Sequence, residues 1–343
     1  MADQIKVAVI TQAGGAHLGA YFPALAEARD AASVVLADSS GDSFERARKA
    51  LGSKLAGVYK SHAEMLAKEK PKMAMVSMEA VEAPAAIDAC LDAGVHVFAE
   101  KPACIRAEDF AKLAAKADSK HLFLMLALAN RKLAEPLKAR ELVDSGTIGK
   151  VYGIDMHFIA DQTRLTKPSY HERWYAQKAR AGGGHLTWLG IHWLDLAMWV
   201  TGSRCLEVSG FKGLVGGQPI DVEDSAAIAL RFDNGTFGTL TSGYYLDRGK
   251  QSLLKIWGSA GWLSLDLIER KLTWYSTESG TGELHEFRDE TAPRGYSPFV
   301  AAAVTASARD ASPPITAQDS LHVLQTIFAA YTAAETGRTQ RVG

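Results

Sequence analysis

The first 125 or so residues of this 343-residue chain alternate short apolar runs with segments of helical spacing, and few architectures satisfy that order. Lys6 to Ile10, Ser33 to Ala37, Lys72 to Ser77, Val95 to Ala99 and His121 to Leu126 read as strands. Between them FERARKAL, SHAEMLAKE, APAAIDACLDAG and AEDFAKLAAKA carry the spacing and charge of helices. Apolar strands separated by helices predict a doubly wound α/β unit, a parallel sheet covered on both faces. A ligand on such a sheet sits at the carboxyl ends of the strands, near the switch in strand order.

After about residue 150 the pattern becomes alternating, in VYGIDMHF, SAAIALRF, GTFGTLTSGYY, LLKIWGS and WLSLDL. Turn signals at Asp233-Asn234-Gly235 and Gly258-Ser259-Ala260-Gly261 divide these runs, and Asn234-Gly235 suits a hairpin. This half is expected to be α/β with an open, mainly antiparallel sheet. Gln318 to Thr336 reads as a last amphipathic helix, ended by Gly337. The length exceeds that of one ordinary hydrophobic core, so two domains are expected, 1–125 and 126–343. The last helix, 318–336, is placed to pack back near the first domain.

Composition narrows the partners. Formal net charge is −1 and no lysine/arginine run offers a nucleic-acid or anionic-membrane surface. Cys90, Cys104 and Cys205 are odd in number, widely spaced and outside any CxxC or Cys/His metal pattern, as expected of reduced thiols. MADQIKVAVI enters a strand at once, without a basic segment followed by an apolar one, and no apolar run reaches membrane-spanning length. A cytoplasmic protein is expected.

Three segments carry chemistry. After the first strand, TQAGGAHLGAYFPAL stands where a dinucleotide fold has G-x-G-x-x-G. In register it offers Thr11, Ala13 and Ala16, with Gly14 and Gly15 between them. Asp38 closes the next strand about twenty residues on, where an acceptor binds both ribose hydroxyls and repels a 2′-phosphate. That favours NAD over NADP, while an Asp opening a turn or capping the following helix is the plain alternative. HVFAEKPA then delivers Glu100, Lys101 and Pro102 to the binding edge. A lysine there donates a proton or hydrogen bond to a reacting oxygen, and Pro102 fixes the backbone, in a position that allows a cis bond.

The third segment is GGGHLTWLGIHWLD, Gly182 to Asp195. Three glycines permit a tight turn, and a tryptophan-rich helix carrying His185, Trp188, His192 and Asp195 is expected to follow. On an ideal α-helix His185 and His192 fall within about 20° of one another, two turns and about 10 Å apart, too far for one metal ion. No metal is expected. Upstream, the stretch Ala160 to Gly184 lacks periodicity but carries Tyr170, His171, Arg173, Trp174 and Tyr175, with Asp161, Arg164 and Lys167, as a binding loop would.

In this order the segments resemble the Gfo/Idh/MocA family, the glucose–fructose oxidoreductase and inositol dehydrogenase superfamily. The resemblance includes Glu100-Lys101-Pro102, DSGTIGKVYGI at Asp144 to Ile154, the triple-glycine helix, WGSAGWLSLD at Trp257 to Asp266 and the closing PITAQDSLHVLQTIFAAYTAAETGR. It implies a Rossmann domain followed by an α/β domain whose open sheet often forms a subunit interface, so a homo-dimer or homo-tetramer is expected. It also implies NAD(P)-linked oxidation or reduction of a sugar, cyclitol or related polyol.

Two departures stand out. The family helix reads Gly-Gly-Gly-x-x-x-Asp-x-Gly-x-His-x-x-Asp, and Trp188 holds the place of its first Asp. After the fourth strand of the family fold, Ser77-Met78-Glu79 replaces Thr-Pro-Asn near the cofactor. The resemblance carries over Lys101 as the group polarising the carbinol oxygen and His192 as general base, with Trp188 as an apolar face for a sugar ring. His185, one turn earlier, is expected to assist or to bind substrate, and positive charge on Lys101 would keep a nearby imidazole neutral. Two other readings stay open: a sugar lyase or hydrolase that uses NAD without net redox, and a ligand-sensing member with no chemistry.

Overall fold

A computed structural model describes residues 4–277 and 282–343. The chain divides into two compact units. The first contains β1 (Ile5–Thr11), β2 (Ala31–Asp38), β3 (Leu55–Tyr59), β4 (Met73–Ser77), β5 (His96–Ala99) and β6 (Leu124–Leu126). They form one parallel sheet in the order β3-β2-β1-β4-β5-β6. Strand order reverses between β1 and β4, which sets the crevice for a ligand at their carboxyl ends. Every residue of β4 and β5 is buried, as a sheet covered on both faces requires. The covering helices are α1 (Leu18–Glu27), α2 (Phe44–Leu51), α3 (His62–Glu69), α4 (Ala83–Asp92) and α5 (Ala107–Ser119).

β3 is absent from the strands expected above. Its sequence, LAGVY, is short and broken by Gly57, and as an edge strand bonded only to β2 it stays half-buried. The first unit also takes in residues 179–182 and 293–321, so a single cut at residue 125 does not describe it. A helix at Ser297–Arg309 joins it through Thr305, whose hydroxyl donates to Asp30 at 2.6 Å. Asp310, just beyond, accepts from Lys72 at 2.9 Å.

Among the described residues the second unit has nine strands. These are β7 (Val151–Asp161), β8 (Cys205–Gly213), β9 (Ser225–Phe232), β10 (Phe237–Leu246), β11 (Gln251–Gly258), β12 (Gly261–Asp266), β13 (Lys271–Ser276), β14 (Leu284–Phe287) and β15 (Gln340–Arg341). Their order is β14-β13-β12-β11-β7-β10-β9-β8-β15, antiparallel except where β10 lies parallel to β7. Alternation decides the faces. Ile228, Leu230 and Phe232 of β9 point inward, while Ala227, Ala229 and Arg231 face out. The β9–β10 hairpin turns at Gly235, whose φ of +83° suits glycine. The outer face is aromatic: Phe237 and Trp257 are exposed, Lys255 lies over Trp257 and Trp262, and Arg231 over Phe237.

Two helices of this unit, α6 (Ala134–Asp144) and α9 (Ile191–Thr201), pack on each other, and α9 packs on β7. The helical turns α7 (Pro168–His171) and α8 (Lys178–Ala181) lie between them in the chain. Asp195, on α9, is fully buried and receives both Arg131 Nε and the Arg131 terminal nitrogen. Its place is structural, pinning the helix. Removing one member of such a pair strands the other's charge in the interior. Arg131→Met is therefore expected to lower the unfolding free energy by about 3–5 kcal/mol in urea denaturation.

All three cysteines are buried, and burial pushes each thiol up to about 12. Among the described residues no helix is long and apolar enough to cross a membrane, and no three His, Cys, Asp or Glu side chains converge as a metal site.

Candidate active site

The glycine turn after β1 is held by side chains rather than by glycine alone. Thr11 Oγ1 donates to the Ser77 carbonyl at 2.8 Å, and Ser77 Oγ donates to the Ala16 carbonyl at 2.7 Å. Thr11 and Ser77, expected at the cofactor, thus tie the turn to β4. Gly14 adopts φ +76°, and a Cβ on Gly15 would lie 2.0 Å from Thr11 Oγ1. A cleft of about 590 Å³ opens beside this turn, lined by Gln12, Ala13, Ser39, Ser40, Glu79, Glu82 and Arg180. It lies at the carboxyl ends of β1, β2 and β4, where an adenine dinucleotide rests on this fold. Met78, half-buried, continues the chain from β4 into Glu79, which is ion-paired with Arg180.

Asp38 does not offer the free acceptor expected of it. Its carboxylate is wholly buried and accepts from Ser40 N at 3.0 Å, Ser40 Oγ at 2.7 Å, Ser43 N at 2.9 Å and Ser43 Oγ at 2.6 Å. Burial opposes its ionised form, but the bonds from Ser43 and Ser40 outweigh that and hold its pKa below the usual value. The turn-and-cap alternative describes this side chain. Ser39 and Ser40 face the cleft instead.

At the end of β5, Glu100 and Lys101 are both buried, with Lys101 Nζ 3.9 Å from Glu100 Oε1. The Tyr21 hydroxyl donates to Glu100 Oε2, and His17 Nε2 lies 3.9 Å from Oε1. The Lys101–Pro102 bond is cis. Glu100 therefore serves as the counter-charge that holds a lysine inside the unit at its ligand-binding edge. Tyr21 and His17 were invisible as members of this group, because an ordinary helix start contains both types.

In the second unit the glycine turn leads first into a π-helical turn, Leu186–Gly190, and only then into α9. The extra residue per turn rotates everything after Gly190, so the phase relation of an ideal α-helix between His185 and His192 does not hold. Glu223, which sequence reasoning missed, builds this start. Its carboxylate accepts Gly184 N at 2.7 Å, Leu186 N at 3.0 Å and the Tyr331 hydroxyl at 2.7 Å. A Cβ on Gly184 would sit 1.9 Å from the Glu223 carbonyl oxygen, and one on Gly183 2.1 Å from Tyr331 Oη.

His185 is fully buried. Its Nδ1 lies 2.6 Å from Ser242 Oγ, and its ring meets Tyr244 edge-on at 4.4 Å. Burial, reinforced by the Arg164 charge, lowers its pKa to about 3. Trp188, half-buried, packs against Trp174 at 5.4 Å and Tyr175 at 5.3 Å, and Tyr175 meets Tyr170 at 5.1 Å. His171 Nε2 bonds the Leu165 carbonyl and closes the loop on itself, while Arg173 is exposed. His192 is half-buried on the first turn of α9. The structure thus brings four of the expected loop and helix aromatics together, while His185 packs against Tyr244 and Phe158.

A histidine neutral in the folded state and protonatable in the unfolded one stabilises the protein above its unfolded pKa of about 6.5. That contribution is lost as pH falls from there toward 3. Between pH 6.5 and 5 the native protein is expected to lose about 2 kcal/mol more than His185→Gln, in urea denaturation at each pH.

A parallel nucleotide-type sheet with a glycine turn and an edge lysine, joined to a mixed sheet, defines a Rossmann-type oxidoreductase. Residues 5–128 match the oxidoreductase family with an NAD-binding Rossmann fold, and residues 137–264 match the GFO/IDH/MocA C-terminal domain. The chain belongs to the Gfo/Idh/MocA family. Myo-inositol 2-dehydrogenase of Thermotoga maritima is 24% identical over 73% of this chain and 72% of its own. Levoglucosan dehydrogenase of Pseudarthrobacter phenanthrenivorans is 25% identical over 44% of each chain. An uncharacterized oxidoreductase of Schizosaccharomyces pombe is 28% identical over 51% of this chain and 46% of its own. The chain thus matches about half the length of the latter two. The same fold recurs in an oxidoreductase domain protein from Kribbella flavida, with TM-score 0.89 and 22% identity over the whole of both chains.

Proposed function

We propose that this protein is an NAD(P)-dependent oxidoreductase acting on a sugar, cyclitol or related polyol. The observation that carries the reading lies within the first unit: a buried lysine follows β5 at the carboxyl end of the sheet whose β1, β2 and β4 ends line an open cleft. Relatives named as dehydrogenases of levoglucosan and myo-inositol support the substrate class. Gln12, Ala13, Gly14, Gly15, Ser39 and Ser40 would hold NAD, which when bound supplies the hydride acceptor.

In this reading Lys101 polarises the carbinol oxygen, kept in place by the Glu100 carboxylate. His192 takes the hydroxyl proton. The Trp188 and Tyr175 rings present flat apolar surfaces suited to the C–H face of a sugar ring. His185, neutral and buried, assists through Ser242 and Tyr244 rather than by touching substrate. The wild-type chain is expected to quench its tryptophan fluorescence on titration with NADH. Lys101→Ala should retain that binding yet lose about 100-fold or more in kcat with a turned-over polyol. Full activity in the variant would rule out the assignment. Turnover of a sugar without NADH accumulation would favour the lyase or hydrolase reading.

The aromatic outer face of the nine-stranded sheet is proposed as the contact between subunits, since an exposed apolar patch of this kind is commonly an interface. Phe237 and Trp257 lie on it with Arg231 and Lys255 over their rings. Light scattering of the wild type is expected to give a dimer or tetramer, and Trp257→Glu with Phe237→Glu a smaller species. A monomeric wild type would dismiss this interface.

A further inference from the structure

Arg164 places a half-buried guanidinium in the second unit without an ion-pair partner among the described residues. Arg131 is matched by Asp195, and both Lys178 and Lys212 by Glu335. Among the described residues no carboxylate lies within 4.0 Å of Arg164, although its side chain is half-buried. The acid nearest in sequence, Asp161, makes no ion pair with it: its Oδ1 accepts Thr163 N at 2.7 Å and caps the local turn.

Donors surround Arg164. The guanidinium lies 5.4 Å over the Tyr244 ring, and the Tyr170 hydroxyl neighbours that of Tyr244. His185, beside Tyr244, is neutral and adds no negative charge. A half-buried guanidinium with no carboxylate partner, set beside tyrosine hydroxyls, suits an oxyanion. The Tyr170–Tyr175–Trp188 ring series begins at the same tyrosine and extends apolar surface from it.

We infer that the substrate carries a carboxylate, as in a uronate or aldonate, and that Arg164 with the Tyr170–Tyr244 pair binds it while Tyr175 and Trp188 face the carbon skeleton. This deepens the polyol reading above and rests on it. One guanidinium fits a singly charged carboxylate better than a phosphate dianion, which calls for more than one cation.

The test titrates the 343-residue chain with D-glucuronate, D-gluconate, D-glucose and D-glucose 6-phosphate, by calorimetry and tryptophan fluorescence, with and without saturating NADH. The expected result is a sugar acid bound about tenfold or more tighter than glucose, with affinity falling as salt rises. Arg164→Gln should bring the acid down to the level of glucose while leaving glucose unchanged, and Arg164→Lys should keep part of the preference. A loop merely loosened by the substitution would weaken acid and neutral sugar alike, and that outcome overturns the inference. So do equal affinities in the wild type, tighter binding of the phosphate, or binding of none of the four at tens of millimolar. NADH affinity in the same samples separates the two readings. Cofactor binding without acid preference refutes the carboxylate site alone, and absence of cofactor binding refutes the oxidoreductase reading.

Discussion

The second unit depends on one buried carboxylate. Three glycines let the backbone enter the interior, but a helix that starts there leaves amide donors with no water to satisfy them. Glu223 supplies the acceptor for Gly184 and Leu186 and is itself held by Tyr331 from the last helix. Burial raises its pKa while those hydrogen bonds oppose the rise. The π-helical turn, the burial of His185 and the half-exposed stance of Trp188 all depend on where this carboxylate fixes the helix start.

In the first unit a departure from the glycine fingerprint has a steric corollary. Thr11 stands where a dinucleotide fold commonly has its first glycine, and its hydroxyl bonds β4 across the turn. The same hydroxyl fills the space a Cβ on Gly15 would need. The side chain at position 11 and the bare backbone at position 15 are therefore one feature, and changing either alone would open the turn.

The sheet classes were legible because burial on two faces or one writes itself into the chain as continuous or alternating apolar residues. β3 escaped, since an edge strand half in solvent needs no such run. Lys101 and the Trp188 aromatic group could be placed because they sit at fixed offsets from a strand end and a glycine turn. Asp38 was located correctly in the chain, but the two serines that consume its carboxylate lie only two and five residues on, a local contact that competes with any ligand. Glu223 had no signal: its partners are 37, 39 and 108 residues away. The π-turn was hidden for another reason, because a single extra residue in a helix leaves apolar spacing almost unchanged while rotating every later side chain about the axis.

The three buried thiols have a practical side. Cys90, Cys104 and Cys205 are enclosed and held protonated far above neutrality, so thiolate, the species that reacts with alkylating reagents and peroxides, is scarce at all three. The native chain is a silent background for a single engineered surface cysteine. A dye or spin label attached there would report on one chosen position, with no need to strip out the natural residues first.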